Sequence, residues 1–224
     1  MDSDKISSIA KACKITEEIF SQVVAKFSDF SSEKDVSRFI SAKTNGQGLK
    51  PAFPTIVGSG PGGSEPHHKP ILPLTNGFCV IDFGVKVNGY CSDFTRTVFL
   101  GTPAKKDLEL YSLVLDAQTA GKNLVKAASP AIAPYEAACT ALGSEVSHFV
   151  HGLGHGVAKR IHVKPYLKKT SADTLKENDV VTVEPGLYYK NEFGIRIEDV
   201  FVVTISGAKP LTFFDRSLIV IPFQ

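Results

Sequence analysis

Long apolar runs are missing from this sequence, and no stretch approaches the roughly 20 residues that a membrane-spanning helix requires. The amino-terminal segment is charged and has a helical period, so it lacks the apolar centre of a signal peptide. An excess of one charge is also missing, because 25 Lys and Arg residues face 23 acidic residues and leave a net charge of +2. We therefore expect neither a membrane nor a nucleic acid as a partner.

Cysteines are few, and none of the four lies in the Cys-x-x-Cys spacing of a zinc site or a redox motif. Three of them fall in apolar or helical segments, which predicts reduced thiols and a cytoplasmic location. Repeats of about 20 to 50 residues and linkers between domains are not visible either. A length of 224 residues with 43% hydrophobic composition therefore predicts one domain over residues 1–224.

Helical and strand-like patterns occupy separate parts of the chain, which favours the α+β class over a parallel sheet. Apolar residues at helical spacing predict helices, and short β-branched or aromatic runs predict strands. The predicted helices cover residues 4–28, 33–42, 107–128 and 134–148. The predicted strands cover residues 53–57, 180–184, 187–190, 194–203 and 217–223, together with a hairpin over 78–100.

The hairpin carries two aspartates in a segment that otherwise has the composition of a buried structure, VIDFGVKVNGYCSDF. A two-residue turn at Asn88-Gly89 puts Asp82 and Asp93 on the same face, as diagonal neighbours roughly 7 to 8 Å apart. The missing side chain at Gly84 leaves space between them. Two like charges at this separation raise the free energy unless a cation lies between them, whereas an exposed face would leave both simply solvated.

Two further acids interrupt strands of the buried type. Glu184 ends the run VVTVE, and Glu198 lies within GIRIEDVFVV. A strand period of two puts Glu198 on the same face as Arg196, so an ordinary ion pair could explain that one acid. Four carboxylates in such positions are harder to explain by pairing alone, because buried acids without partners are rare.

Histidines are concentrated in the segment HGLGHGVAKRIH, which contains His151, His155 and His162 among glycines. A single histidine here would more often be a hydrogen-bonded core residue, but three of them beside four acids predict a metal centre. Oxygen donors with an imidazole suit Mn, Fe, Co or Zn, and four carboxylates balance two divalent ions. His68 and His148 lack such neighbours and are interpreted as structural or exposed.

Four motifs follow one another along the chain, namely DFGVKVNGYCSDFTRT, HGLGHG, VEPGLY and GIRIED. In this order they resemble the pita-bread metallopeptidases, the family of methionine aminopeptidase, aminopeptidase P and Xaa-Pro dipeptidase (prolidase). The resemblance covers nearly the whole chain. It implies an α+β pita-bread fold, with a pseudo-twofold repeat around a curved antiparallel sheet.

The resemblance also implies a site for two divalent metal ions, which could be Mn, Co, Zn or Fe. By position, Asp82 would chelate one ion, and His155 and Glu184 would hold the other. Asp93 and Glu198 would bridge the two ions. Such a pair lowers the pKa of a bridging water, so that a hydroxide attacks the peptide carbonyl while Glu184 relays its proton.

Residues around the metals would handle the substrate. The resemblance assigns this role to His67, His151 and His162, of which His67 or His162 would stabilise the charge that develops on the carbonyl oxygen. Tyr188 and Arg196 match positions near the metal centre in the proline-specific members. Tyr188 would contact substrate, and Arg196 would orient the carboxylate ligands.

The motifs SDFTRT, HGLGHG and GIRIED are similar to the proline-specific branch of the family. We therefore expect hydrolysis of the Xaa-Pro bond in dipeptides or short peptides that carry proline at the second position. Methionine aminopeptidase activity, another metal-dependent hydrolysis or a non-catalytic peptide-binding role are the alternatives. The oligomeric state stays open, with a homodimer among the options.

Two departures from this branch bear on the substrate. Relatives usually begin with a separate amino-terminal domain, whereas this sequence begins at the catalytic unit. In HGVAKRIHVKP the relatives usually show glycine at Ala158, an apolar-acidic pair at Lys159 and Arg160, and Glu at Val163. The added positive charge leads to the hypothesis that the pocket attracts a peptide carboxylate and favours short substrates.

Overall fold

A computed structural model describes residues 2–223 of the chain. Its helices fall in two pairs, one at the start and one in the middle of the sequence. None of the helices in this described part is both long and apolar enough to cross a membrane. The helices are α1 (Asp2–Ala25), α2 (Glu33–Gly46), α3 (Lys105–Asn123) and α4 (Ile132–Leu142).

The strands of the described residues form two larger and two smaller sheets. In chain order they are β1 (Lys50–Pro51), β2 (Ile56–Ser59), β3 (Gly77–Asp82), β4 (Val85–Val87), β5 (Tyr90–Cys91), β6 (Thr95–Leu100), β7 (Gly154–Gly156), β8 (Val163–Leu167), β9 (Val180–Val183), β10 (Gly186–Tyr189), β11 (Phe193–Arg196), β12 (Asp199–Thr204), β13 (Gly207–Pro210) and β14 (Ile219–Ile221). The larger sheets have the orders β14-β6-β3-β2 and β13-β12-β9-β7-β8, and the smaller ones β1-β4-β5 and β10-β11. Among the pairs of strands described, β6 with β14 is parallel and the rest are antiparallel. The predicted α+β class is confirmed.

Local signals set the bounds of α2 and α4. Ser32 caps α2, because its hydroxyl accepts from the Asp35 N–H at 3.3 Å and the Asp35 carboxylate accepts from the Ser32 N–H at 3.0 Å. The predicted fourth helix is too long. It ends at Leu142 because Gly143 adopts a φ of 54°, and a 3-10 helix continues to His148.

The third helix is also shorter than predicted, since it ends at Asn123 rather than at residue 128. The Ala127 N–H donates to the carbonyl of Thr204 at 3.0 Å, and the Ala128 N–H donates to that of Leu175 at 2.9 Å. These donors are therefore satisfied by neighbouring segments instead of by a further helical turn.

The hairpin forms with the predicted register. Asn88-Gly89 has φ values of 51° and 80°, as a tight two-residue turn requires, and Asp82 pairs with Thr95. The interpretation of Gly84 is corrected. A Cβ atom there would lie 2.0 Å from the carbonyl oxygen of Ser92, so the glycine permits close contact between the strands rather than leaving space between aspartates.

The segment predicted as one strand over 194–203 is two strands, because β11 pairs with β10 whereas β12 pairs with β9. The alternation of faces nevertheless persists across the break. Ile195 and Ile197 pack in the hydrophobic core, while Arg196 and Glu198 are buried on the polar side.

Each half of the chain packs a helix pair against a sheet. One core cluster joins α3 and α4 to β9, β10, β11 and β12, and a second joins α1 and α2 to β3, β4 and β6. A smaller cluster connects α1 with β9 and β12. Two helices followed by strands therefore occur in each half of the chain.

Candidate metal centre and active site

A cavity of about 200 Å³ opens at the ends of β3, β9 and β11. Most of the predicted site residues line it, namely His67, Asp82, Asp93, His151, His155, His162, Glu184 and Arg196. The other two are buried beside it: the Tyr188 hydroxyl accepts a hydrogen bond from Arg196, and Glu198 accepts one from Thr95. Residues far apart in sequence therefore meet in one place.

Three ligand types converge at the buried end of the cavity. Single ligand atoms of Asp93, His155 and Glu198 all lie within 4.8 Å of one another. Glu184 Oε1 lies 3.1 Å from His155 Nε2, and Asp93 Oδ2 lies 3.6 Å from the same nitrogen. The arrangement brings carboxylates and an imidazole to distances that a shared cation could bridge.

Two carboxylate oxygens in this group lack hydrogen-bond partners within the described residues. They are Asp82 Oδ1 and Glu198 Oε1, and both are buried. A buried acceptor without a partner costs free energy, and a buried charge costs more. These atoms, together with the donor set of four carboxylates and one imidazole, fit hard divalent cations such as Mn, Fe, Co or Zn.

The electrostatics of the same acids agree with this fit. Burial raises the pKa of Asp93 and of Glu198 well above ordinary values, and the charge of neighbouring acids raises each pKa further. Burial also raises the pKa of Asp82, although the charge of Arg196 opposes this effect. Without a cation, the folded chain therefore favours protons on these carboxyl groups.

His155 and Glu184 form the charged pair of the site. Burial lowers the pKa of His155, but the hydrogen bond and charge of Glu184 and the charge of Asp93 outweigh it and raise that pKa to about 9. Burial raises the pKa of Glu184, yet His155, His151 and Arg196 together lower it to about 2. In the metal-free protein Glu184 is thus a carboxylate beside an imidazolium.

Glycines let the His155 strand lie close to its neighbour. A Cβ atom at Gly154 would lie 2.0 Å from the carbonyl oxygen of Thr182 on β9. The Thr182 hydroxyl accepts from the His155 N–H at 3.0 Å and donates to Glu184 Oε1 at 3.0 Å. One threonine therefore fixes two of the predicted ligands, a role that the sequence did not indicate.

A directed chain of hydrogen bonds joins three predicted residues. Because the Gly152 carbonyl lies 2.7 Å from His151 Nδ1, that nitrogen carries the proton and Nε2 accepts. The Tyr188 hydroxyl lies 2.9 Å from His151 Nε2 and accepts from Arg196 Nη1 at 2.7 Å. Arg196 Nη2 in turn donates to Asp82 Oδ2 at 2.7 Å, so the chain ends on a predicted ligand.

His67 and His162 face each other across the cavity. Their ring centres are 6.4 Å apart, and the His162 ring lies 4.2 Å from that of His155. His162 adopts a φ of 55°, an uncommon conformation for a residue with a side chain. Burial and the charge of His155 lower the pKa of His162, which favours a neutral imidazole.

Comparison with known proteins agrees with this geometry. Residues 7–205 match Metallopeptidase family M24. The chain belongs to this family. The Xaa-Pro dipeptidase of Pyrococcus furiosus is 36% identical over 227 residues, covering 96% of this chain and 64% of that protein. Membership in a metallopeptidase family implies divalent metal ions as cofactors.

Solved structures of M24 proteins share the fold. The X-Pro aminopeptidase of Thermotoga maritima MSB8 superposes with a TM-score of 0.94 at 33% identity, covering 99% of this chain and 64% of that one. The prolidase of Thermococcus sibiricus gives a TM-score of 0.93 at 32% identity, covering 98% of this chain and 61% of that one. The expected pita-bread fold is therefore confirmed. The chain spans less than two thirds of the length of these relatives.

Behind the predicted ligands lies a polar cluster that sequence reasoning missed. Arg96 is buried and donates to Asp199 Oδ1 at 2.7 Å, to the Glu198 carbonyl at 2.6 Å and to the Thr95 carbonyl at 2.9 Å. Gln118 on α3 donates to Asp199 Oδ2 at 2.9 Å. The cluster ties the backbones of β6 and β12 together next to Glu198, and the adjacent acid in GIRIED was its only sequence signal.

A second missed contact fixes the loop that carries His67. Glu33 is fully buried, and its carboxylate accepts from His68 Nε2 at 2.8 Å and from the N–H groups of Ser59 and Leu72, each at 2.9 Å. The interpretation of His68 as structural agrees with this contact. Its neighbour His67 is thereby held at the cavity.

The positive charges of Lys159 and Arg160, which were expected next to the site, lie outside the cavity lining. Lys159 and Arg160 are exposed and are not part of the cavity lining, and the Lys159 ammonium lies 5.7 Å from the centre of the Tyr90 ring. The cavity instead receives Lys168 from the end of β8. The hypothesis that Lys159 and Arg160 attract a substrate is therefore not supported by their positions.

Proposed function

We propose that this protein hydrolyses the Xaa-Pro bond of dipeptides or short peptides with two divalent metal ions. The proposed ligands are Asp82, Asp93, His155, Glu184 and Glu198. Such ions, when bound, polarise the peptide carbonyl and lower the pKa of a water molecule. The single observation that carries the proposal is the presence, beside the cavity, of buried carboxylate oxygens that have no hydrogen-bond partner among residues 2–223, in a chain of the M24 family.

Glu184 is proposed as the proton acceptor. Glu184 lines the cavity beside His155, where its carboxylate can take a proton from the attacking water. The Thr182 hydroxyl and His155 Nε2 both contact its Oε1 atom and restrict its orientation. Glu184 can then deliver the proton to the nitrogen that leaves.

His67 and His162 are proposed to bind the substrate. Both line the cavity, and a neutral His162 can donate a hydrogen bond to the carbonyl oxygen as negative charge develops there. His151, which also lines the cavity, and Tyr188, which is buried beside it, are proposed to handle the substrate as well. Through Arg196 they hold the Asp82 carboxylate in one orientation, which keeps that ligand positioned when substrate enters.

The preference for proline is supported by the relatives and by one pair of side chains. The relatives named above are described as Xaa-Pro dipeptidase, X-Pro aminopeptidase and prolidase. The hydrogen bond between Arg196 and Tyr188 joins the two positions that match the proline-specific branch. We further propose that the two ions are Mn, Co, Zn or Fe, that residues 1–224 form a single catalytic domain, and that the protein acts in the cytoplasm without nucleic acid or membrane. A homodimer is one option for its assembly.

A substrate panel tests this function. Purified protein is loaded with Mn, Co or Zn and offered Xaa-Pro dipeptides, longer Xaa-Pro peptides and Met-Ala-Ser. We expect cleavage of the Xaa-Pro bond, and metal analysis should give two ions per chain. Preferential release of methionine would favour methionine aminopeptidase activity instead. Metal binding without hydrolysis of any peptide would indicate a non-catalytic peptide-binding protein.

A further inference from the structure

Besides the histidines, two cationic side chains line the cavity, Arg196 and Lys168. Arg196 is buried and already bound, because it donates to Asp82 at 2.7 Å and to the Tyr188 hydroxyl at 2.7 Å. Lys168 is exposed and forms no ion pair with any residue between 2 and 223. Its charge is therefore available to a ligand.

The strand β8 explains why this lysine reaches the cavity. Side chains alternate along it, so Leu167 is buried in the core while Tyr166 and Lys168 face the cavity. Gly154 of β7 pairs with Leu167, which brings Lys168 next to Gly152. A Cβ atom at Gly152 would lie only 3.0 Å from the Cβ of Lys168, so the glycine allows the stem of the lysine to pack there.

The ammonium group is held by an aromatic ring. Lys168 Nζ lies 5.0 Å from the centre of the Tyr166 ring, within the range of a cation–π contact. The Tyr166 hydroxyl donates to the His162 carbonyl at 2.7 Å, which fixes the ring beside a predicted substrate residue. The nearby acid Asp173 is paired with Lys164 at 3.0 Å. The geometry thus leaves Lys168 as a restrained cation on the wall of the cavity.

The two parts of the cavity carry opposite charges. The buried end holds the proposed metal ligands, and the wall formed by β8 carries the ammonium of Lys168. A peptide bound with its scissile bond at the buried end and its carboxyl-terminal part toward β8 would bring that part to Lys168. In a dipeptide the terminal carboxylate lies one residue from that bond, so it stays within the cavity, whereas a long peptide carries its carboxylate elsewhere.

We propose that Lys168 binds the terminal carboxylate of the substrate and so selects dipeptides over long or amidated peptides. The proposal rests on the proposed Xaa-Pro hydrolysis. Lys168 is in this view a specificity-determining residue that touches the substrate but not the reacting bond. Its ammonium provides charge-assisted hydrogen bonds to the carboxylate, while Arg196 remains occupied by Asp82.

The test compares K168Q with wild type on a dipeptide Xaa-Pro and on the same dipeptide with a carboxyl-terminal amide. Wild type should prefer the free acid. K168Q should raise KM for the free acid about fivefold, the size of one exposed ion pair, and should remove the preference. K159Q is the matched control, because it removes an equal charge outside the cavity lining and should keep the preference.

A binding measurement complements the kinetics. Calorimetry with a dipeptide that contains a reduced, uncleavable peptide bond should show the same loss of affinity in K168Q and none in K159Q. A preference that persists in K168Q, or that disappears equally in K159Q, would overturn the role of Lys168 while Xaa-Pro hydrolysis stands. If wild type cleaves neither peptide with any metal, the proposed function fails and the role of Lys168 fails with it.

Discussion

Two carboxylates that are adjacent in sequence, Glu198 and Asp199, lie in opposite environments although both are buried. Asp199 has a partner for each oxygen, because Arg96 donates to Oδ1 at 2.7 Å and Gln118 donates to Oδ2 at 2.9 Å. Glu198 accepts from the Thr95 hydroxyl at 2.7 Å, but its Oε1 atom has no partner in the described chain. The two residues are adjacent in extended backbone at the start of β12, so their side chains point to opposite sides.

The difference separates an acid whose oxygens are both hydrogen-bonded from an acid that is proposed as a metal ligand. A buried carboxylate that is fully hydrogen-bonded contributes to the packing of the strands behind the site. A buried carboxylate with an open oxygen raises the free energy of the metal-free fold, and this is tolerated where the open oxygen binds something. Asp82 resembles Glu198 in this respect, since its buried Oδ1 atom also has no hydrogen-bond partner among the described residues.

The largest effect is expected from E198Q. The amide replaces a charged ligand, so we expect the loss of at least one bound ion and of nearly all peptidase activity. The metal-free variant should be no less stable than metal-free wild type, because the neutral amide is buried without taking up a proton, whereas burial raises the pKa of Glu198 and favours its protonated form. Metal analysis and thermal unfolding with a chelator measure the two effects. Retention of both ions would contradict the assignment of Glu198.

The next largest effect is expected from R96M, which leaves Asp199 buried without its cationic partner. The expected loss in the free energy of unfolding is about 3 to 5 kcal/mol, the usual result of removing one partner of a buried pair. Denaturant unfolding of the metal-free protein measures it. E198Q should not lower the free energy of unfolding, so the two variants together test the difference between Glu198 and Asp199. Equal losses of stability in both variants would argue against that difference.

Metal affinity should increase with pH. The pKa of His155 is about 9, so below that pH its imidazole carries a proton that a metal must displace. The raised pKa values of Asp93 and Glu198 add to this competition at lower pH. We expect up to about a tenfold gain in affinity per pH unit between pH 7 and 9, with protons released on binding. Calorimetry in buffers of different ionisation enthalpy measures the release, and none at pH 7 would be inconsistent with the pairing of His155.

The smallest effect is expected from Q118M on α3. Loss of the hydrogen bond to Asp199 should lower the free energy of unfolding by about 1 kcal/mol. The side-chain amide of Gln118 also donates to the carbonyls of Val183 and Ile197, each at 3.3 Å, and these residues directly precede the proposed ligands Glu184 and Glu198. Loss of this support should lower metal affinity by about tenfold. V114A, on the same helix and fully buried, is the control that should reduce stability without this loss of affinity. Unchanged affinity in Q118M would confine Gln118 to a structural role.

Some parts of the fold could be predicted because their signals are local. Asn88-Gly89 determines its own turn, and that turn determines which residues of the hairpin pair. Ser32 and Asp35 similarly specify the start of α2. The ends of α3 and α4 could not be predicted as well, since they depend on Gly143 and on contacts with distant strands.

For the candidate site, the sequence predicted which residue types would be needed but not what holds them. Acids in apolar strands and clustered histidines are visible without a structure, since each conflicts with its surroundings. The hydroxyls of Thr95 and Thr182, the buried Glu33 and the position of Lys168 have no such local signal. They act through neighbours that are distant in sequence.

The sequence by itself determined the hairpin register and the α+β class, because alternation and turn chemistry are local properties. Its motifs, through their resemblance to a known family, also implied the set of residues that meet at the cavity. Only the tertiary structure decided which buried carboxylates have a hydrogen-bond partner for each oxygen and which, among the described residues, have an oxygen without one. It also decided which lysine faces the cavity. Those outcomes depend on which side chains from distant segments come within hydrogen-bond distance, and that is determined by the packing of the two halves of the chain.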